Sequence, residues 1–152
     1  MSLYLATTGQ ASPSASGLYT GAETIEGNSR AISGMKLSHK IMLDFFGDTV
    51  CLVKYWGPVQ MCVFYLEYDY SPSCYKIIIE CERGVITISV KEQTGRHFSP
   101  WMVYPESRYY HYEDVDKDVY QLISLTHQAI KKNEIKFITD SETYELSQKI
   151  GF

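Results

Sequence analysis

The acidic residues that could bind a cation lie at the start of a predicted helix. Asp114, Asp116 and Asp118 form a D-x-D-x-D pattern, which opens one type of calcium-binding loop. That loop also requires a glycine at its sixth position, for a sharp turn, and a glutamate at its twelfth, as a bidentate ligand. This chain has Val119 and Leu125 there. We therefore interpret the acids as the charged first turn of a helix and predict no metal site.

Two further acids lie on a predicted strand and could form an acid–base pair. Glu67 and Asp69 are two residues apart, so their side chains should share one face of the strand. A neighbouring charge can shift one carboxyl pKa far enough for proton transfer. Carboxylates in this position more often mark the polar end of a strand, so we do not predict catalysis here.

Motifs for nucleophiles and cofactors are absent from the sequence. It has no G-x-x-x-x-G-K, G-x-G-x-x-G, H-E-x-x-H or G-x-S-x-G pattern. The cysteines form no C-x-x-C pair, and most fall in predicted strands, where a thiol behaves as a small buried apolar group. A Cys–His pair that only the fold assembles stays open. We predict no enzymatic activity and no cofactor. The residues concerned are Cys51, Cys62, Cys74, Cys81, His39, His97, His111 and His127.

The densest group of candidate binding residues lies between positions 96 and 115, RHFSPWMVYPESRYYHYEDV. Trp, Tyr and Arg are enriched at the centres of protein interfaces, which favours a recognition loop. The alternative is a connection that folds its rings over the sheet edge and covers it against unwanted strand pairing. Both interpretations stay open. The predicted partner-binding residues are Trp101, Tyr104, Arg108, Tyr109, Tyr110, Tyr112, Asp114 and Asp116.

Composition narrows the classes of partner. The 152-residue chain is 45% apolar, which is enough for one ordinary core, and its net charge is −4. Lysines and arginines are scattered rather than gathered in a basic stripe, so we do not expect nucleic-acid binding. No run of eighteen apolar residues exists, and the N-terminus lacks the pattern of a secretory signal. We expect a cytoplasmic protein that does not enter a membrane.

The elements of the first half follow from changes in hydrophobic period. Residues 1–30 are rich in small polar residues and predict a flexible, disordered arm, followed by a single domain over 31–152. Helical spacing predicts a helix over 33–48, with Gly47 as its left-handed end. Apolar and alternating patterns predict strands within 49–56, 59–70, 75–82 and 85–92, and Gly57-Pro58 should end the first.

The second half contains the best-marked helix. Acids in the first turn and lysines in the last predict a helix over 113–133, with Asn133 as its stop. A short strand at 135–138 and a final helix within 139–152 should follow, and Thr139 and Glu142 have capping-box spacing. Consecutive strands without intervening helices predict an α+β fold. We expect a mainly antiparallel sheet of four or five strands, packed by two or three helices on one face.

These features favour a binding protein over an enzyme. We expect a non-enzymatic protein-binding module, an inhibitor of the immunity-protein type that neutralises a bacterial toxin whose active-site surface is basic. A secretion-chaperone-like protein fits the same description, and a homodimer stays open. The alternatives are a small-molecule-binding or sensor domain with an aromatic-lined pocket and an enzyme whose site only the fold assembles.

Overall fold

The computed structural model describes residues 26–59, 63–82, 85–105, 107 and 115–149. The first helix, α1, spans Glu26–Phe46 and is followed by a 3-10 turn at Gly47–Thr49. Gly47 has φ +59, which a residue without Cβ adopts without steric cost, so the helix stops where the sequence predicts.

The N-terminal boundary of α1 differs from the expectation. The helix begins at Glu26, within the predicted arm, and passes through Gly34, although glycine has a low helix propensity. Gly34 is buried, and the Ser38 hydroxyl donates to its carbonyl oxygen at 2.7 Å. Tertiary packing of this turn therefore outweighs the low helix propensity of glycine. The rest of the predicted arm lies outside the described residues.

The strands form one antiparallel five-stranded sheet, which confirms the α+β prediction. The spatial order is the chain order, so each strand pairs with the next. The predicted end of the first strand was wrong, because β1 continues through Gly57-Pro58. An edge strand tolerates proline because only one of its sides needs backbone donors. The strands are β1 Val50–Val59, β2 Val63–Tyr70, β3 Tyr75–Glu82, β4 Val85–Lys91 and β5 His97–Phe98.

Two further helices complete the described fold. The second, α2, spans Val115–Lys131, and Asn133 after it has φ 56, as expected of a helix stop. The third, α3, spans Asp140–Lys149. The predicted strand at 135–138 is reduced to a single bridge between His97 and Ile138.

The core lies between the sheet and the pair α1 and α2. Burial alternates along β2, so that Phe64, Leu66 and Tyr68 face the helices while the residues between them are half-exposed. This alternation is the signature of a sheet that is covered on one face. The other face carries polar and aromatic side chains. Buried members of the core from the helices include Met35, Met42, Val119, Leu122 and Ile123.

Candidate functional site

The predicted recognition loop is partly described, and there it folds back onto the domain. Trp101 lies in a 3-10 turn over Pro100–Met102 and is half-buried. The Tyr104 hydroxyl donates to Glu134 Oε1 at 2.7 Å and accepts from Gln128 Nε2 at 2.9 Å. These two bonds tie the loop to the end of α2. In this part of the loop, the Tyr104 hydroxyl is therefore engaged within the domain, at the end of α2 rather than at the sheet edge.

The other predicted residues cannot be placed together with these two. Asp116 belongs to the first turn of α2. Asp118, two residues further along the helix, is buried. The charged helix start that we inferred from the acids thus includes one acid directed into the protein. The remaining candidates lie outside the described residues; they are Arg108, Tyr109, Tyr110, Tyr112 and Asp114.

A different set of aromatic residues converges at one end of the domain. Seven described rings contact one another in an unbroken series, with centroid separations between 4.9 and 6.1 Å. Most neighbours meet edge to face or tilted, which is a favoured geometry for aromatic pairs. We call this series the aromatic strip. In order it comprises Tyr120, Phe45, His127, Phe46, Tyr70, Tyr75 and Phe137.

Five separate segments supply the rings. Tyr120 and His127 are seven residues apart on α2, which places them on one face two turns apart. The end of α1 brings the two adjacent phenylalanines, and the Thr49 hydroxyl holds this end by donating to the Phe46 carbonyl oxygen at 2.5 Å. Tyr70 and Tyr75 pair directly across the β2–β3 hairpin. The strip is therefore a product of helix ends and strand register together.

The strip is neither core nor isolated surface side chains. Phe46 is 6% exposed and anchors the series to the core, whereas Tyr120 at one end is 54% exposed. The five other members are half-buried. Burial and the nearby Lys131 ammonium lower the pKa of the His127 imidazole from its usual 6.5, so the neutral ring is favoured within the strip. A half-buried row of neutral rings is suited to non-covalent contact with a partner.

The open face of the sheet holds a second ordered group. Trp56 and Tyr65 stack with their rings 5.8 Å apart and 5° from parallel, and the Lys54 ammonium lies 5.7 Å from the centre of the Tyr65 ring. The Tyr65 hydroxyl donates to Glu67 Oε1 at 2.7 Å. Burial, together with this carboxylate and that of Glu80, raises the pKa of Tyr65 far above its usual value. The phenol therefore remains protonated and structural.

The suspected acid–base pair belongs to this group. The Lys76 ammonium bridges the two carboxylates, at 3.2 Å from Glu67 Oε2 and 2.8 Å from Asp69 Oδ1. Hydrogen bonds to both acids raise the pKa of Lys76. The two acids therefore belong to a cross-strand ion network centred on Lys76.

One cluster has the outline of a nucleophile, a base and a carboxylate. His97 Nε2 lies 3.1 Å from Thr143 Oγ1, and its Nδ1 lies 3.5 Å from Asp140 Oδ1. The Thr143 hydroxyl, however, donates to the Thr139 carbonyl oxygen at 2.8 Å. Its one proton is used there, so Nε2 must donate to Thr143 rather than accept from it. The cluster therefore fastens α3 to β5. No local sequence signal could reveal contacts between residues so far apart in the chain.

A cleft of about 430 Å³ lies beside this attachment. Its wall is formed by one side of α3, and its floor by β5, the 3-10 turn and the segment that leads to Ile138. Phe98 is the one aromatic side chain among the described residues that line it. The lining residues are Phe98, Met102, Val103, Lys136, Ile138, Glu142, Glu145, Leu146 and Lys149.

Comparisons with known proteins give this chain no relatives: no family model, no curated protein and no solved structure matches it. In the described ranges, no three His, Cys, Asp or Glu side chains converge so as to hold a metal ion. None of the helices that the structure describes has both the length and the apolar character needed to cross a membrane.

Proposed function

We propose that this domain is a non-enzymatic protein-binding module whose partner contacts the aromatic strip. The observation that carries the proposal is the continuous contact of seven rings from five segments, six of them at least partly exposed. Aromatic side chains dominate the energetic centres of protein interfaces because they offer large contact areas.

The strip is also preorganised. Each ring is held by its neighbours, so its rotamer freedom is already restricted before a partner binds. Ordering a free side chain at an interface costs roughly 0.5–1.5 kcal/mol, and most of this cost is avoided for rings already in place. Tyr120 has the largest area left to bury and is the expected centre of the contact. The net charge of −4 favours a partner with a basic rim.

Within this class we retain the finer proposal of a cytoplasmic inhibitor of the immunity-protein type, whose partner is a toxin with a basic active-site surface. The strip would cover the apolar part of such a surface, and acidic side chains would pair with the basic residues around it. Masking of a substrate groove requires no chemistry from the inhibitor.

The experiment compares three single variants of the tagged protein. Tyr120→Ala removes the most exposed ring of the strip, and Tyr144→Ala removes a ring on α3 that is 67% exposed and outside the strip. Trp101→Ala tests the predicted recognition loop. A partner is recovered from native lysate with the wild type, identified by mass spectrometry, and then titrated as a purified protein against each variant.

We expect Tyr120→Ala to weaken the complex about thirtyfold, which corresponds to a hot-spot loss of about 2 kcal/mol. Tyr144→Ala should bind as the wild type does. Equal affinity of the Tyr120→Ala and wild-type proteins would remove the strip from the proposal. Loss of binding only in Trp101→Ala would restore the loop as the site, provided that circular dichroism shows this variant to be folded.

A further inference from the structure

The outward face of the sheet is exposed along β3 and β4. Residues directly opposite each other in an antiparallel pair share one face, and alternate residues of each strand point away from the helices. Six of these outward side chains are exposed, so no described part of the chain covers them. They are Lys76, Glu80, Glu82, Val85, Thr87 and Lys91.

The exposed charges are separated by sign along the strands. Glu80 and Glu82 lie near the β3–β4 turn, whereas Lys76 and Lys91 are paired directly across the other end of the same two strands. Glu80 and Lys76 are four residues apart, which is about 13 Å along a strand. Glu80, Glu82 and Lys91 make no salt bridge with a described residue. One end of the face is therefore acidic and the other is basic.

The ion network centred on Lys76 does not cancel this separation. Glu67 lies opposite Lys54 in the middle of the sheet, so these two charges balance. At the basic end, Lys76 and Lys91 stand against the single carboxylate of Asp69, which leaves one positive charge. Among the described residues, the acidic end has two carboxylates and no cation. The two ends therefore keep opposite signs when the whole network is counted.

The acidic end is also concave. It forms a recess of about 410 Å³, whose described lining is Glu80, Glu82, Val85 and Thr87. A lysine that enters such a recess can lay its methylene chain on the apolar side chain and direct its ammonium to the carboxylates. The recess is therefore suited to a lysine from a facing surface.

We propose that this face binds a second copy of the same chain, related by a two-fold axis that crosses β3 at Ile78. That position lies midway between Glu80 and Lys76, so the axis places the acidic end of each copy over the basic end of the other. Ile78 is 7% exposed and its cross-strand neighbour Ser89 is half-buried, so the middle of the face is low and the two ends can approach. Lys91 of each copy then enters the recess of the other.

A second copy fits this face better than a uniformly basic protein does. A basic partner would pair with the glutamates but would meet Lys91 with a like charge. The two-fold arrangement pairs both ends, and does so twice. Helices α1 and α2 carry four rings of the aromatic strip and pack on the other side of the sheet. The association therefore goes beyond the proposed function and leaves the strip free for its partner.

The size of the face sets the strength of the association. Four strands spaced about 4.8 Å apart, each with about seven residues at 3.3 Å, give a face of about 19 by 23 Å. Two copies would cover about 900 Å² in total, which is in the range of weak, transient complexes. The charged groups lie at the surface, so salt screens their attraction. We therefore expect a reversible dimer that is sensitive to salt.

The test measures the mass of the full-length protein by sedimentation equilibrium, at concentrations up to about 1 mM. Glu80→Lys and Lys91→Glu each place like charges opposite each other in a dimer of the variant, whereas an equimolar mixture of the two variants restores opposite charges. Glu145→Lys and Lys132→Glu are the matched controls, because they make the same changes of net charge at exposed positions outside the sheet. Circular dichroism confirms that each variant is folded.

We expect the wild type to dimerise, with an association that weakens severalfold between about 0.1 M and 1 M salt. Each single variant should associate at least tenfold more weakly, because the reversed charge acts twice in a two-fold dimer. The mixture should form a dimer of one copy of each variant with an affinity close to that of the wild type. The two controls should dimerise as the wild type does.

Three results would overturn the inference. The first is a wild type that remains monomeric at about 1 mM. The second is a folded Glu80→Lys variant that associates as strongly as the wild type, which would place the contact on another surface. The third is a mixture of Glu80→Lys and Lys91→Glu that associates no more strongly than either variant alone.

Discussion

Replacing Tyr68 with phenylalanine should destabilise the domain, because it removes one partner from a buried polar pair. The Tyr68 hydroxyl lies 2.8 Å from His39 Nδ1, and neither residue is accessible to solvent. Burial raises the pKa of Tyr68 well above its usual value, so the phenol keeps its proton. The pair links α1 to the middle of β2, and its rings are nearly parallel at 14°.

The magnitude follows from the accessibility of the two groups. A buried group that loses its hydrogen-bond partner costs about 1–3 kcal/mol, whereas an exposed one recovers the bond with water. With both residues at 0% exposure, we expect about 2 kcal/mol. For a domain of this size, 1 kcal/mol corresponds to roughly 2–4 °C in Tm, so the variant should melt roughly 4–8 °C lower.

The assay is urea unfolding followed by circular dichroism, with thermal melting as a second measurement. Tyr70→Phe is the matched control. Tyr70 lies two residues along the same strand, is half-buried and makes no hydrogen bond with a described side chain. Its loss of a hydroxyl should change the free energy of unfolding by less than about 0.5 kcal/mol. A Tyr68→Phe variant as stable as Tyr70→Phe would refute the reasoning.

A double variant separates the pair from general packing. His39→Leu alone leaves the Tyr68 hydroxyl buried without its partner, and His39→Leu/Tyr68→Phe removes both polar groups. We expect the double variant to lose less stability than the sum of the single losses, with a coupling free energy of about 0.5–3 kcal/mol. Strict additivity would show that the contact at 2.8 Å contributes nothing specific.

Two further outcomes concern the strip and the last helix. His127→Phe should reduce the loss of Tm between about pH 7 and pH 5. The pKa of His127 in the folded protein lies below the usual 6.5. The neutral ring therefore stabilises the fold fully above pH 6.5, and this stabilisation is lost as the pH falls through the lowered pKa. Thr139→Ala should destabilise α3 by about 1 kcal/mol, seen as faster amide exchange in α3 than in α2, because it removes the hydroxyl that accepts from the Glu142 N–H. Ser141→Ala is the matched control for the second outcome, and a wild-type pH profile in His127→Phe would contradict the first.

Local patterns in the sequence predict most of the fold because each one reports a local cause. Alternation along β3 and β4 follows from one covered face, and the acids and lysines of α2 follow from the helix dipole. The errors arose where tertiary packing opposes local preference. A buried turn carries α1 through Gly34, and an edge position allows β1 to continue through Pro58.

The aromatic strip could not be predicted in this way, because its members share no local pattern. The ring centroids of Phe45 and His127 lie 5.4 Å apart, although more than eighty residues separate the two in the chain. The contact between these two rings depends on how α1 packs beside α2. The contact between Tyr70 and Tyr75 depends on the register of the β2–β3 hairpin. Aromatic density along the chain predicts a binding loop at residues 96–115, where the Tyr104 hydroxyl is hydrogen-bonded to Gln128 of α2 and to Glu134.

Tyr104 and Tyr120 differ in the two properties on which the proposed contact depends, support by neighbouring residues and remaining exposure. Tyr104 directs its hydroxyl to Glu134 and Gln128, so a partner would have to break those bonds to use it. Tyr120 is 54% exposed, and its ring rests on Phe45, 5.4 Å away at 61°. A ring supported from beneath and open above can be buried by a partner without losing an internal contact. Under the proposed function, support by neighbours together with remaining exposure therefore favours Tyr120 on α2 over Tyr104 as the contact.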